Sequence, residues 1–490
     1  MAEGTTLDLK RFLTSMTLVA ADDEAPSADE DAAFPHEQSR EDRFLAGLGA
    51  LVHNVAPVNG RLPRGAMQEI ILEIDARVHE TLDLVLHHPA FQAVESAWRG
   101  LEDLVSHSNF RANVSIDLMD VSREELAEDF ETNSVDVTES VVFRKIYREE
   151  YDQFGGQPFG AVVGLYSFGS TPRDLFFLRQ MGKVCALAHS PFLGSVAPQF
   201  FGCDTAEQLS SITDLEGLLK QPRYGAWQAL RDAPEAAYVA LTLPRYLLRR
   251  TWDPSTNLAN EVDYSEDATK GPEGQYLWGN PAILLARNLV RSFEVSGWCQ
   301  HIRGPKAGGL IKDLAGHAFA VRNEEELKAP VEVSIPDTRE LEFANQGFIP
   351  VIYRTGTTEA CIFSCQSIKA PKRFKDQKDT ENAQLVTNLS YTLSVSRIAH
   401  YLKCMMRDVI GTTADATDVQ TKIQDWLEEY VTTVINPDDL TLSFYPFKAA
   451  KVEVVKAEGL IGQYRCSVAV LPHIQFEGID VELRLESRLG

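Results

Sequence analysis

Between residues 159 and 243 the chain alternates short runs that are apolar on both faces with a longer run that is apolar along one face. Phe159 to Tyr166 (F-G-A-V-V-G-L-Y) is the first short run, Pro191 to Val196 (P-F-L-G-S-V) the second, and Tyr238 to Leu243, stopped by Pro244, the third. After the first, starting at Pro172, Leu175, Leu178, Met181, Val184 and Cys185 recur at helical spacing. Successive side chains of a strand point to opposite faces, so a strand apolar at every position has to be covered on both sides. Strands of this kind alternating with helices predict an α/β sheet with helices packed on it.

The flanking segments extend this reading. Val114, Ile116 and Leu118 predict a strand, Ser122 with Glu125 a capping box that opens a helix, and Glu139 to Tyr151 a second helix ending before Gly155-Gly156. Upstream, Met67, Ile70, Ile71, Ile74, Val78, Leu82 and Val85 form one stripe, and Phe91, Val94, Trp98, Leu101 and Val105 another. His87-His88-Pro89 separates them as polar punctuation at a helix end, which predicts a helical hairpin. Residues 253–280 are polar and rich in turn formers and predict a surface excursion. Further helices are expected over Pro281–Val295, Asn382–Ile410 and Thr417–Val434.

After Asn436-Pro437 the pattern becomes β, with one strand at Val452 and Val454, a second over Tyr464–Val470 and a third over Ile474–Leu489. In the third, Ile479, Val481, Leu483, Leu485 and Leu489 share one face, and Asp480, Glu482, Arg484, Glu486 and Arg488 the other. Ile474 and Phe476 fall in the opposite phase, which predicts a bulge at Glu477-Gly478. The backbone edge of such a terminal strand has to pair with an earlier strand or with another molecule. The expected fold is therefore α/β (α+β overall), a mixed sheet with a helical hairpin, terminal arms and a C-terminal β region.

Five segments follow: a helix at 1–18, an acidic flexible linker at 19–64, the hairpin at 65–110, an α/β body at 111–370, and a helical and β domain at 371–490. In the first, Leu9, Phe12, Leu13 and Met16 make one apolar face, with Asp8 near the start where the helix dipole favours it. The linker opens A-D-D-E-A-P-S-A-D-E-D-A-A and holds too little apolar surface to order itself. A net charge of −24 argues against a nucleic-acid partner, because phosphate contacts need clustered Lys and Arg. There is no apolar stretch of about eighteen residues to cross a membrane, and no apolar run follows Lys10 and Arg11 to make a signal peptide. Seven widely spaced cysteines suit reduced thiols in a cytoplasmic protein.

No motif for catalysis stands out, and no cofactor or metal is expected. Gly304 to Gly309 (G-P-K-A-G-G) lacks the Lys-Ser/Thr ending of a phosphate loop and reads as a flexible loop. Cys361 and Cys365 are spaced too widely for a usual zinc knuckle and read as small core residues. His189 reads as a structural histidine, and His473 beside Pro472 fits a strand start. A structural subunit is favoured over an α/β enzyme with a dispersed site, which stays open on the residues alone.

Several blocks resemble the large subunit of the type VI secretion contractile sheath, the TssC/VipB family. They are His88 to Val105 (H-P-A-F-Q-A-V-E-S-A-W-R-G-L-E-D-L-V), Glu150 to Gly164, Ala188 to Phe192 (A-H-S-P-F), Leu243 to Arg249 (L-P-R-Y-L-L-R) and Pro472 to Gly478 (P-H-I-Q-F-E-G). They keep their order from about residue 65 to the end, while the first sixty residues match only loosely. The resemblance implies a non-enzymatic polymer subunit that pairs with a smaller sheath subunit of the TssB/VipA kind. It implies stacking with neighbouring protomers round a tube of Hcp rings on a baseplate, with no direct membrane insertion. It also implies that the chain termini act as arms between protomers, which here means Ile479, Val481, Leu483 and Leu485. A ClpV-type AAA+ ATPase that dismantles contracted sheath grips an N-terminal helix in related members, by position the one carrying Leu9, Phe12, Leu13 and Met16. A sheath subunit of another phage-like contractile particle is the neighbouring alternative.

Overall fold

The computed structural model describes residues 64–473 apart from 255–263, 267, 269–274, 322–323, 373, 414, 435–436 and 457–463. The chain divides into two compact units, residues 1–87 with 252–267 and residues 88–251 with 268–490.

In the first unit, helix α1 (Arg64–Leu86) carries the first apolar stripe. The Tyr264 hydroxyl donates to Asp83 Oδ1 at 2.6 Å, and its ring meets His79 edge-on. His87 Nε2 lies 3.1 Å from Glu266 Oε1, and Glu266 also accepts the Trp252 N–H. His87 is thus a partnered, nearly buried side chain rather than punctuation, and Tyr264 and Glu266 are buried where a surface excursion was expected.

In the second unit, helix α2 (Pro89–Ser106) starts with Pro at its first position, and His88 Nδ1 accepts the Ala90 N–H. The fold is built on strands β1 (Val162–Phe168), β2 (Phe192–Val196), β3 (Val239–Leu243), β6 (Leu310–Ile311), β9 (Phe348–Tyr353) and β10 (Ala360–Ile362), in the order β1-β2-β3-β9-β10-β6. β1, β2, β3 and β9 run parallel, with Leu193 opposite Ala240 and Leu241 opposite Phe348; β10 pairs antiparallel with β9 and β6. The mixed sheet expected from the sequence is the one observed. Two short pairs lie outside it, β4 (Tyr246–Leu247) with β5 (Trp278–Gly279) and β7 (His317–Val321) with β8 (Glu324–Lys328).

Helices cover both faces because every side chain of β2 and β3 is buried. One face packs α3 (Arg123–Thr132), α4 (Pro172–Ala188), α5 (Gly225–Asp232) and α7 (Asp337–Asn345) over Phe168, Leu178, Trp227 and Phe348. The other packs α2 and α6 (Ala282–Ser296) over Leu193, Ala240 and Ile349. Ser122 and Glu125 make the expected capping box at α3. The Glu139–Tyr151 helix is a turn of α-helix, Val141–Phe143, that runs into a π-helix, Arg144–Tyr151.

Three expectations are corrected here. Residues 113–120 belong to no sheet, although Val114 and Ile116 are half-buried as a strand would have them. The expected helix Asn382–Ile410 is two helices, α8 (Gln377–Thr387) and α9 (Leu389–Val409), because Asn388 turns its side chain onto the Ser390 N–H and caps the second. The G-P-K-A-G-G segment is a closed turn rather than a flexible loop. Gly304 N–H donates to Ile362 O, Ile362 N–H to Gly309 O and Gly309 N–H to Gly304 O. Gly308 sits at φ 92°, where a Cβ would come within 1.9 Å of His301 O.

His189 is structural: it closes α4 at φ 54° and lies 3.2 Å from the Tyr238 hydroxyl. Its neighbour His400 on α9 donates Nε2–H to Ala188 O at 3.0 Å. Burial lowers the pKa of His400 to about 4, aided by Arg397 and His189 and opposed by the Ala188 hydrogen bond. The unfolded ring takes a proton near the ordinary 6.5 and the folded one does not, so stability is lost as the pH falls from 6.5 towards 4 and levels off below. Between pH 7 and pH 5 we expect a loss on the order of 2 kcal/mol from this residue. Urea midpoints across that range should show it, and His400→Phe should flatten the slope.

Candidate functional site

A third apolar cluster holds the C-terminal β region, the part of the second unit that the sequence marks for assembly. Helix α10 (Ala416–Glu428) begins with a capping box from Asp415 and Asp418. Its stripe of Val419, Ile423 and Leu427 is buried against Phe447, Val452 and Val454 of β11 (Phe447–Lys456). The helix is shorter than the expected Thr417–Val434, because Val431 leaves it to bridge Phe447 beside the start of β11. Trp298 closes this cluster, its ring edge-on to Tyr430 and Phe447. β12 (Tyr464–Pro472) pairs antiparallel with β11 from Lys456 opposite Tyr464 to Phe447 opposite Pro472.

The two outer edges of this hairpin differ. On β11, Gln424 Oε1 accepts the Val452 N–H at 2.9 Å and Gln420 Oε1 the Val454 N–H at 3.1 Å. Gln424 Nε2 also donates to Ala450 O. Two glutamines one helical turn apart thus stand where a neighbouring strand would, and the β11 edge is closed. On β12, no residue beyond β11 pairs with the backbone among the described residues. Its side chains alternate half-buried and exposed, so one face rests on the cluster while the other meets solvent. Replacing Gln420 and Gln424 together by Ala should cost about 1 kcal/mol per lost hydrogen bond, read as a lower urea midpoint, and should promote association through the unmasked edge.

Where β12 ends, the chain is held from three directions. His473 N–H donates to Pro446 O at 3.2 Å, and its carbonyl accepts the Tyr391 O–H at 3.1 Å. Its Nε2 lies 2.9 Å from Thr432 Oγ1. Burial, with Lys448 beside it, lowers the pKa of this ring and favours its neutral form. His473 therefore closes a strand instead of starting one. The residues singled out for assembly, Ile479, Val481, Leu483 and Leu485, lie outside the described residues, as do the predicted bulge at Gly478 and the N-terminal Leu9, Phe12, Leu13 and Met16.

An open strand edge of this kind can take up a further strand. Cys361 and Cys365 are buried in the second unit as small core residues. Among the described residues there is no group of three or more His, Cys, Asp or Glu placed to hold a metal, and no helix long and apolar enough to cross a membrane. Gln420 and Gln424 went unnoticed in the sequence: they are four apart beside the apolar stripe, but only the fold brings a strand edge to them.

Comparisons with known proteins identify the family. The family described as EvpB/VC_A0108, tail sheath N-terminal domain (VipB), matches residues 68–369, and its gpW/gp25-like tail sheath domain matches 378–489. A curated relative, type VI secretion system sheath protein TssC1 of Pseudomonas aeruginosa PAO1, is 36% identical over 429 residues, 86% of each chain. Among solved structures, a chain of the anti-feeding prophage baseplate is similar at TM-score 0.37 and 11% identity, covering 77% of this chain and 84% of that one. A chain of the contracted PVC sheath complex, an extracellular contractile injection system, follows at TM-score 0.35 and 10% identity, covering 63% and 68%. With two matched domains and a relative aligned along most of its length, this chain belongs to the TssC/VipB family of type VI secretion sheath proteins, structural subunits and not enzymes.

Proposed function

We propose that this chain is the large subunit of a cytoplasmic type VI sheath, pairing with a smaller subunit of the TssB/VipA kind. The pairs stack helically round a tube of Hcp rings on a baseplate, and contraction drives the tube and its effectors outward. The observation that carries this reading is the asymmetry of the C-terminal hairpin. One edge is closed by Gln420 and Gln424, the other is open among the described residues, and the chain leaves it at a firmly held His473.

In this reading the segment with Ile479, Val481, Leu483 and Leu485 joins a sheet with a neighbouring protomer, and the N-terminal helix with Leu9, Phe12, Leu13 and Met16 is offered to a ClpV-type ATPase. The stretches matched at 68–369 and 378–489 support a division of the body near residue 370. Co-expression with the small subunit, followed by electron microscopy, tests the proposal. Hollow tubes are expected, and a monodisperse small oligomer would overturn it.

A further inference from the structure

The described chain stops at His473 with two large apolar residues immediately ahead of it, Ile474 and Phe476. In the sequence these share the phase of Val468 and Val470, on the half-buried side of β12 that packs on the third cluster. From Ile479 onward the apolar residues fall in the other phase. By pattern, Ile474 and Phe476 go with the buried side of their own domain, and the stretch beyond Gly478 does not. Three residues of extended chain reach about 10 Å, so whatever covers Phe476 lies close to the point where His473 is held.

An exposed apolar patch flanks that point. Helix α11 (Asp439–Phe444) is capped by Asp438, whose side chain accepts the Thr441 N–H at 2.9 Å, and it buries Ser443. Leu440 and Phe444, one turn apart, are left 60% and 43% exposed, and Tyr445 beside them 42%. The next residue, Pro446, supplies the carbonyl that takes the His473 N–H. The Tyr445 carbonyl accepts the Thr432 hydroxyl that meets the His473 ring. Leu471, two residues before His473, is exposed as well. Charge points the same way. Lys448 is exposed, has no ion-pair partner among the described residues and lies close enough to His473 to act on its ring. The first acidic residue past His473 in the chain is Glu477.

We propose that Ile474 and Phe476 of the same chain seat on Phe444 and Tyr445, giving the C-terminal arm a root in its own domain. The part free to join a neighbouring protomer then begins at Gly478, a consequence that rests on the sheath reading above. A segment from a second copy would have to displace one tethered beside the patch by three residues, against its much higher local concentration.

Urea unfolding of the full-length chain tests the seat. Phe476→Ala, and the paired changes Phe444→Ser with Tyr445→Ser, should each lower the midpoint by about 0.5 M. All three changes together should lower it no further than the larger of the two, because the same contact is lost each time. Tenfold dilution should leave every midpoint where it was. Ending the chain at Gly478 should cost nothing, whereas ending it at His473 should cost as much as Phe476→Ala. Additive shifts, or no shift with Phe476→Ala, overturn the seat. So do midpoints that fall on dilution, because a second copy then supplies the phenylalanine. A lower midpoint on removing residues 479–490 alone overturns the boundary at Gly478. Tubes formed with the small subunit despite additive shifts leave the sheath reading standing without the seat. Coupled shifts in a chain that forms no tubes keep the seat and overturn the sheath reading.

Discussion

Removing residues 479–490 is expected to abolish tube formation on co-expression with the small sheath subunit, while the pair itself still forms. The deleted segment carries Ile479, Val481, Leu483 and Leu485 at alternate positions of the sequence. Burying three or four such side chains in a joint sheet contributes about 1.5–3 kcal/mol each before the entropy of ordering the arm is subtracted. In a polymer that modest sum recurs at every subunit contact. The rest of the C-terminal region survives the deletion, because α10, β11 and β12 hold their own apolar cluster. Negative-stain images of the wild-type and truncated pairs, with size-exclusion to confirm the pair, give the result. Intact tubes from the truncated chain would sink the strand-exchange role.

Asp103→Ala should be the most damaging single change on α2, lowering stability by about 3 kcal/mol or more. Its carboxylate takes an Arg287 guanidinium and the Tyr246 hydroxyl, and Arg287 and Tyr246 are both buried. Burial, the nearby Asp103 charge and the hydrogen bond to it all raise the Tyr246 pKa, so the phenol stays a donor at any working pH. Removing the carboxylate leaves a buried guanidinium without its counter-charge, which costs more than a surface ion pair ever returns. Urea unfolding of the variant should show the shift. Arg287→Met in the same background should recover part of it, since the orphaned charge goes too. No recovery would mean that the loss comes from packing round Leu104 and Gly100 rather than from the buried charge.

Much of the fold was legible because its strands and helices announce themselves by periodicity. β2 and β3 appear as runs with no polar outward face, and α4 as a regular stripe opened by Thr171 and Pro172. β9 was not foreseen, since Pro350 inside F-I-P-V-I-Y argues against a central strand, yet it pairs with Leu243 in the parallel ladder. The two halves of the expected helix at Asn388 look continuous in apolar spacing, and only a buried cap separates them. The short strands β4 to β8 are five residues or fewer and carry little pattern to read.

The candidate site divides in the same way. The alternation of β12 is written in its residues, whereas the closure of β11 by two glutamines depends on which helix lands beside it. The segment at 113–120 shows the opposite case. Its period predicted a strand, yet Asn113 turns left-handed at φ 58° and the segment joins no sheet among the described residues.

The grip on His473 has a mechanical side. An arm pulled from the end of a hairpin ordinarily peels it open, breaking one ladder rung after another at low force. Here the first residue beyond β12 is tied to Pro446 at the mouth of β11, to Tyr391 in α9 and to Thr432 after α10. Tension entering at that point is shared among three elements before any rung of the ladder feels it.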